Sequence, residues 1–144
     1  MIHIDDEDLY ILFKYKWKII NHKTVSYITT TTGKCRLYLH RILLKCPKGL
    51  QIDHINGNGL DNRKENLRIC THAENGRNRK VGDNNTSGYK GVSWITRQGK
   101  WRATIKINQK RIHLGEYVNI IDAINAYETA ATNYFGSFKR EGML

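Results

Sequence analysis

The sequence predicts an α+β protein with two small domains, and three observations lead to that prediction. Short β-prone runs separated by turn residues occupy the N-terminal region. A strand, loop, strand, helix pattern follows them, and the last third of the chain alternates three strands with one helix. We therefore expect a small β meander with a ββα unit in residues 1–80, a linker at 81–87, and a three-stranded antiparallel sheet packed on one helix in residues 88–140.

The N-terminal meander is predicted from the spacing of β-prone residues. A short helix at residues 5–14 comes first, with acids in its first turn and apolar residues on one side. Turn residues then separate three β-prone runs, at residues 17–22, 24–30 and 35–40. The last run leads into a strongly apolar stretch that ends at Leu44.

The ββα unit begins with a predicted strand at residues 50–55, which carries Asp53 and His54 near its end. An Asn-Gly-Asn-Gly sequence at 56–59 provides a tight turn that glycine permits. A loop then leads into a second short strand at 67–70. The pattern places the Asp-His pair where the first strand meets a loop.

The helix of the unit is predicted from a capping box, Thr71 with Glu74 three residues later. A helix that begins there carries Asn75 about one turn past its cap, on a face that can turn back toward the two strands. We therefore expect Asp53, His54 and Asn75 to converge.

These residue types suit metal-assisted hydrolysis of a phosphodiester. One carboxylate and one amide oxygen leave most positions of an octahedral ion open for water and phosphate. A neutral imidazole with an ordinary pKa of about 6.5 accepts a proton from water at physiological pH. We expect a divalent metal as cofactor, Mg²⁺ first and Mn²⁺ as the alternative.

The spacing of Asp53-His54, Asn66 twelve residues after His54, and Asn75 nine residues further resembles the HNH endonuclease family and its ββα-metal fold. The resemblance covers about residues 37–80, and the longer N-terminal region resembles phage and intron-borne homing endonucleases. It implies that His54 is the catalytic general base, that Asp53 and Asn75 bind the metal, and that Asn66 braces the loop at the catalytic site. Asn in the third place favours a hard, oxygen-preferring ion over Zn²⁺.

Several residues near this pattern keep alternative interpretations. His40 lies in an apolar run, where we expect a structural histidine, with a phosphate or metal contact as the alternative. His72 and Asn78 are the alternatives to Asn75 in the third position. An Asp-His pair in a loop can also be an ordinary solvated feature.

The charge of the chain predicts a polyanionic partner. Its 144 residues include 24 Lys and Arg against 13 Asp and Glu, a formal net charge of +11. We expect double-stranded DNA as the partner, with Arg77 and Arg79 on its backbone. No segment reaches the roughly 20 apolar residues that span a bilayer. We expect no membrane association and a cytoplasmic location, in a bacterium or a phage-infected cell.

The C-terminal region alternates apolar and polar residues in three predicted strands, at residues 89–95, 100–107 and 110–117. Short connections between them predict an antiparallel meander with one apolar face and one basic face. A helix at residues 120–134 covers the apolar face, with Asn119 as its N-cap and a glycine stop at 136.

The run Gly88-Tyr89-Lys90-Gly91-Val92, with the later runs at 99–103, 111–115 and 123–130, resembles the Apetala-type (ethylene-response-factor) DNA-binding domain. The resemblance covers nearly all of residues 86–140 and implies a sheet laid in the major groove. The positions that match its DNA contacts are Lys90, Gly91, Thr104, Lys106, Arg111 and His113. Trp94 and Arg102 are further candidates from their positions alone.

Together these features predict a site-directed DNA endonuclease of a phage or mobile element. We expect a monomer without a protein partner, with a dimer as the alternative; a monomer with one site would cut one strand. The first alternative function is a DNA-binding regulator with an inactive catalytic unit. An RNA-binding protein is the second, which the absence of paired aromatic residues on a sheet face disfavours.

Overall fold

The computed structural model describes residues 1–82 and 84–139. The chain divides into two compact units, Met1–Arg79 and Lys80–Leu144. Asp83, in the predicted linker, and residue 140, at the predicted end of the second domain, lie outside the described residues. Each unit has a hydrophobic core of its own.

The first unit begins with a 3₁₀ turn at Asp6–Asp8 and the helix α1 at Tyr10–Lys14, where the sequence predicts one helix. The acids of the turn bind Lys64 instead of only capping a helix. The backbone N of Lys64 donates to Asp5 Oδ2 (2.8 Å), and the Lys64 ammonium group pairs with Glu7 (2.5 Å) and Asp8 (2.9 Å).

The predicted meander is present. Strands β1 (Lys18–Asn21), β2 (Ser26–Thr32) and β3 (Cys35–Tyr38) form an antiparallel sheet in the order β1-β2-β3. The chain then enters helix α2 (Leu39–Leu43), which shortens the third predicted run by two residues. Leu39 and Leu43 are one helical turn apart and both buried, so packing favours a helix here.

The ββα unit follows. Strands β4 (Gln51–His54) and β5 (Leu67–Cys70) pair in antiparallel fashion, and helix α3 (His72–Arg77) comes directly after β5. Both hydrogen bonds of the capping box between Thr71 and Glu74 are formed. The core beneath these elements consists of buried aliphatic residues, namely Ile11, Ile28, Leu39, Leu43, Ile52 and Leu67.

The second unit is a three-stranded antiparallel sheet and one helix. Its strands are β6 (Val92–Ile95), β7 (Lys100–Ile107) and β8 (Lys110–Tyr117), in that order across the sheet, and its helix is α4 (Ile120–Phe135). Helix and sheet enclose a core whose fully buried members are Val92, Ala103, Ile105, Ala123, Tyr127, Ala130, Ala131 and Phe135. The helix ends at Gly136, whose φ is +52°.

The two faces of this sheet differ as the sequence predicts. On β7, Ala103 and Ile105 point to the core and are buried, whereas Lys106 points to the other face and is exposed. Lys106 lies opposite Arg111, and Thr104 lies opposite His113. The register shifts between Ala103 and Thr104, so a bulge interrupts the strict alternation on β8.

The described residues contain no helix that is long and apolar enough to cross a membrane. The three cysteines are free; Cys70 is buried and Cys35 is exposed.

Candidate active site

His54 is the last residue of β4, and its side chain is buried at the point where the loop begins. Burial lowers the pKa of the imidazole. A hydrogen-bonding contact from Asn62 and the negative charges of Asp53 and Asp61 partly offset that effect. The ring is therefore kept neutral near physiological pH, as a proton acceptor must be.

The loop between β4 and β5 is braced by Asn66. Its Oδ1 accepts a hydrogen bond from the backbone N of Asn56 (3.0 Å), and its Nδ2 donates to the backbone O of Asp61 (2.8 Å). The backbone N of Ile55 also donates to Asn66 O (2.9 Å). Asn66 thus joins both ends and the middle of the loop, which is the geometry expected of a brace.

A buried carboxylate lies inside the same loop. Asp61 accepts two hydrogen bonds from Arg63 (both 2.9 Å) and one from Asn56 Nδ2 (2.9 Å). The Arg63 hydrogen bonds lower the pKa of Asp61 to about 2. The side chain is consequently charged and held in place at neutral pH.

Asp53 lies beside His54 in sequence and has two cationic or amide partners. Arg68, opposite it on β5, donates to Oδ2 from Nε (2.8 Å). Asn78 Nδ2 lies 2.9 and 3.1 Å from the two carboxylate oxygens, and 3.0 and 3.1 Å from the backbone O atoms of His54 and Ile55. Four oxygens surround an amide group with two hydrogens, so this position is rich in negative potential.

The expected convergence of Asp53, His54 and Asn75 is not what the contacts show. Asn75 Nδ2 donates to Gln51 Oε1 (2.7 Å), and Asn78 is the asparagine that contacts Asp53. The two asparagines lie three residues apart, so helical spacing alone does not decide which one reaches the strand end. Because Gln51 and Asp53 point to the same face of β4, Asn75 still lies along that face.

The exposed His72 has its Nδ1 atom 3.1 Å from Gln51 Nε2 and belongs to the same surface as Asn75. No contact in the described structure joins it to Asp53 or His54. The order along β4 is therefore His72 and Asn75 at Gln51, followed by Asn78 at Asp53.

The donors near Asp53 suit a hard cation better than a soft one. Within residues 1–82 and 84–139, no three His, Cys, Asp or Glu side chains group to hold a metal. The Asp53 carboxylate and the backbone oxygens of His54 and Ile55 are oxygen ligands of the kind that Mg²⁺ prefers. Their chemistry is that of a site for a hard cation, and a bound cation would share Asp53 with Arg68.

His40 packs directly against His54, which the sequence alone did not reveal. The two ring centroids are 5.0 Å apart with the planes at 81°, and the rings of Tyr27 and Tyr38 complete the group. Burial lowers the pKa of His40 to about 3. His40 is therefore a neutral packing partner of His54, in accord with the structural interpretation.

The predicted DNA-contacting residues of the second unit lie in two environments. Lys106, Arg111 and His113 are exposed on the sheet face opposite α4. Arg102 lies on the same face but pairs with Glu116 (3.1 Å).

The remaining predicted contact positions of the second unit are less open. Lys90 and Thr104 are half-buried. Gly91 has φ +73°, and a Cβ atom there would lie 2.3 Å from the Tyr127 ring. Packing against Tyr127 is enough to explain why position 91 is a glycine, without a contact to DNA. In the first unit, Arg77 is half-buried at the end of α3 and Arg79 is exposed.

The expectation that no aromatic residues pair on a sheet face is wrong. Trp94 and Trp101 lie opposite each other on β6 and β7, with ring centroids 4.9 Å apart, and Trp94 is 45% exposed. Both belong to the face that carries Ala103; Trp101 is partly buried against the core, and Trp94 is the exposed member of the pair. The sequence could have indicated this pair, because the short hairpin connection sets the register that places Trp94 opposite Trp101.

The sequence that forms this strand end, loop and helix is similar to a known family of nuclease domains. Residues 45–77 match the HNH endonuclease family, a stretch that begins two residues after α2 and runs to the end of α3. It includes Asp53, His54, Asn66 and Asn75 and ends one residue before Asn78.

Two viral proteins are similar to the chain. Protein 3.8 of Escherichia phage T7 is 45% identical over 65 residues, which is 45% of this chain and 54% of that protein. An uncharacterised HNH endonuclease of Acanthamoeba polyphaga mimivirus is 27% identical over 132 residues, 89% of this chain and 67% of that protein. The chain thus spans about half the length of the phage relative that it matches.

No solved structure matches the chain. The family match ends at residue 77, and the comparisons give no support to the Apetala-type resemblance of the C-terminal region. That resemblance stays a prediction from the sequence.

Proposed function

We propose that this protein is a metal-dependent HNH endonuclease that hydrolyses phosphodiester bonds in double-stranded DNA. The observation that carries the proposal is a buried, neutral His54 beside Asp53 at the end of β4, inside the segment that matches the HNH endonuclease family. The formal charge of +11 supports a nucleic-acid substrate. The phage and mimivirus relatives support a setting in an infected host cell, and a homing role follows from the resemblance.

In this mechanism His54 is the general base. Its neutral imidazole takes a proton from the water that attacks phosphorus, and the 3′ oxygen leaves from the opposite side. Asp53 and Asn75 would hold Mg²⁺, or Mn²⁺ as the alternative. The cation supplies charge stabilisation to the phosphate and to the leaving oxygen.

The neighbouring polar residues set the positions of these groups. Arg68 and Asn78 hold the Asp53 carboxylate, and Gln51 holds the Asn75 amide through its nitrogen. That bond leaves Asn75 Oδ1 as the atom for the cation. Asn66 holds the loop that follows His54 through its bonds to Asn56 and Asp61.

The second unit would deliver the site to its target. Its exposed sheet face is proposed to lie on DNA, with phosphate and base-edge contacts from the predicted set Lys90, Gly91, Arg102, Thr104, Lys106, Arg111 and His113. A β-sheet can enter the major groove, and Arg77 and Arg79 would add backbone contacts beside the catalytic site. A monomer with one site cuts one strand, and a dimer would be needed for both.

The central test is cleavage of supercoiled plasmid by purified protein with Mg²⁺, Mn²⁺ or a chelator. We expect nicking that requires the metal, and a loss of at least about 1000-fold in rate for His54→Ala, as for removal of a catalytic base and its positioning. His3→Ala is the matched control, because that side chain is exposed and its described hydrogen bonds use only the backbone. Equal cutting by the His54→Ala protein would refute the mechanism.

A DNA-binding regulator with an inactive catalytic unit is the second candidate. The observation that favours it is the ion pair between Asp53 and Arg68, which occupies the carboxylate that a metal needs. This candidate predicts tight DNA binding without nicking at any concentration of Mg²⁺ or Mn²⁺. Metal-dependent nicking that His54→Ala removes would exclude it.

A further inference from the structure

Two neighbouring side chains, those of His54 and Asn62, each have a buried polar atom that lacks a hydrogen bond of normal geometry. One is Nε2 of His54, and the other is Oδ1 of Asn62, among the few such atoms in the described residues. Asn62 is fully buried, with 0% of its surface exposed. A buried polar atom without a hydrogen bond destabilises the folded state, so a partner is expected for both.

The rest of Asn62 is already held in place. Its backbone N donates to His3 O (2.8 Å), and its Nδ2 lies 3.5 Å from Gly59 O. Of the side-chain polar atoms of Asn62 only Oδ1 remains, and an amide oxygen accepts hydrogen bonds but cannot donate them. The Asn62 amide is also close enough to act on the imidazole as a hydrogen-bond partner, and this contact partly offsets the lowering of the His54 pKa by burial.

We propose that Asn62 is a positioning residue that fixes His54 in the tautomer protonated at Nε2. In this arrangement Nε2–H donates to Asn62 Oδ1, and the lone pair of Nδ1 is left for the attacking water. The proton of that water goes to Nδ1, giving an imidazolium whose Nε2–H bond to Asn62 is kept. The catalytic consequence rests on the proposed nuclease function, but the tautomer does not.

His40 is the competing partner. Its Nδ1 is also buried without a partner of normal geometry, and its ring is 5.0 Å from that of His54. An imidazole nitrogen can donate or accept according to its own tautomer, so His40 would not impose one tautomer on His54. The acceptor-only oxygen of Asn62 does impose one, which is why the structure favours Asn62.

The first experiment needs no variant of Asn62. Ring nitrogens with and without a proton have well-separated ¹⁵N NMR shifts, and His54→Ala identifies the His54 signals among those of the six histidines. The proposal requires Nε2 to carry the proton in the full-length protein at pH 7.5. A His54 ring protonated at Nδ1 would overturn it.

Variants then identify the partner. In Asn62→Leu, which removes the oxygen, we expect a mixture of both tautomers; Asn62→Asp keeps an acceptor oxygen and should keep Nε2–H. His40→Phe preserves a ring and should also keep Nε2–H. An unchanged tautomer in Asn62→Leu, or a change in His40→Phe alone, would show that Asn62 is not the partner. If Asn62→Leu does not fold, Asn62→Asp and His40→Phe still decide between the partners, because a change of tautomer in His40→Phe counts against Asn62.

The activity measurement separates this proposal from the nuclease proposal. Asn62→Leu should lower kcat by about 100-fold with KM within about threefold, since a misplaced base affects the chemical step more than binding. Asn62→Asp should recover most of that loss. If the parent protein cuts no DNA but shows the Nε2–H tautomer and its response to Asn62→Leu, the nuclease proposal fails and the positioning role of Asn62 stands.

Discussion

The loop that follows β4 and the basic sheet face of the second unit use polar residues in opposite ways. In the loop, Asp61, Asn62 and Asn66 are buried and each contacts specific neighbours. On the sheet, Lys106 and Arg111 are exposed side chains on a flat face. A buried polar network holds atoms in fixed positions, whereas long exposed cations keep their rotamer freedom.

The comparison separates chemistry from binding. A reaction at phosphorus needs its base and its ligands in fixed geometry, and the loop provides that geometry. Contacts to phosphates along a duplex tolerate adjustment, and they act through charge. Substitutions in the loop should therefore change rate or stability, and substitutions on the sheet should change affinity and its salt dependence.

Apart from His54→Ala, the largest effect on cleavage should come from the asparagines near β4. Asn75→Ala removes the proposed ligand atom and should lower the rate of cleavage by about 100- to 1000-fold, with little change in stability. Asn78→Ala should lower the free energy of unfolding by about 2 kcal/mol, because it removes the buried amide that donates to Asp53 and to the backbone oxygens of His54 and Ile55.

Nicking rates and urea unfolding of both variants test this assignment. If Asn78→Ala abolished metal-dependent cleavage while Asn75→Ala cut normally, Asn78 would take the third position of the pattern. The chain then would use the asparagine that the structure already places on Asp53.

The next effect concerns the packing of the second unit. Gly91→Ala should destabilise that unit by about 3 kcal/mol, since the new Cβ would lie 2.3 Å from Tyr127 at a positive φ. Gly88→Ala is the matched control: its φ is also positive (+76°), but nothing lies within 4 Å of its Cβ, so about 1 kcal/mol is expected. Hydrogen exchange of the β7 amides measures both, and equal protection in the two variants would contradict the packing argument.

A smaller effect should appear in the acid stability of the loop. The pKa of Asp61 is lowered from 3.8 to about 2. A depressed carboxyl pKa contributes stability above its unfolded value, and that contribution is lost as pH falls from about 4 through 2. We expect about 2 kcal/mol to be lost over this range in the parent protein, and a flatter curve for Asp61→Asn, by urea unfolding at each pH. Parallel curves would show that Asp61 does not carry the effect.

The smallest effect should come from the sheet face. Arg111→Ala should weaken DNA binding by about 1 kcal/mol at moderate salt and reduce the slope of log K against log salt by about 1. Arg102→Ala should change both less, because Arg102 pairs with Glu116. Fluorescence anisotropy at several salt concentrations measures the slopes. Unchanged slopes for both variants would show that this face does not contact DNA. A preference of the protein for RNA would favour the RNA-binding alternative, with the exposed Trp94 as a residue that could stack on a base.

Local sequence patterns determined the order of elements in both units. The capping box at Thr71 predicted the start of α3, and the alternation in residues 100–107 predicted the two faces of β7. Hairpin connections and caps are interactions between near neighbours, so they can be read without a fold. The Asp-His pair and its spacing were visible in the same way.

The contacts inside the candidate site were decided by tertiary structure. Asn78 reaches Asp53 across 25 residues of chain, and Arg68 reaches it across 15. His40 packs on His54 because α2, rather than a longer strand, follows β3. The sequence by itself thus determined which residue types are available and at what spacing. Only the fold determined which asparagine contacts Asp53 and which side chains surround His54. Burial and long-range hydrogen bonds depend on how separate elements pack together.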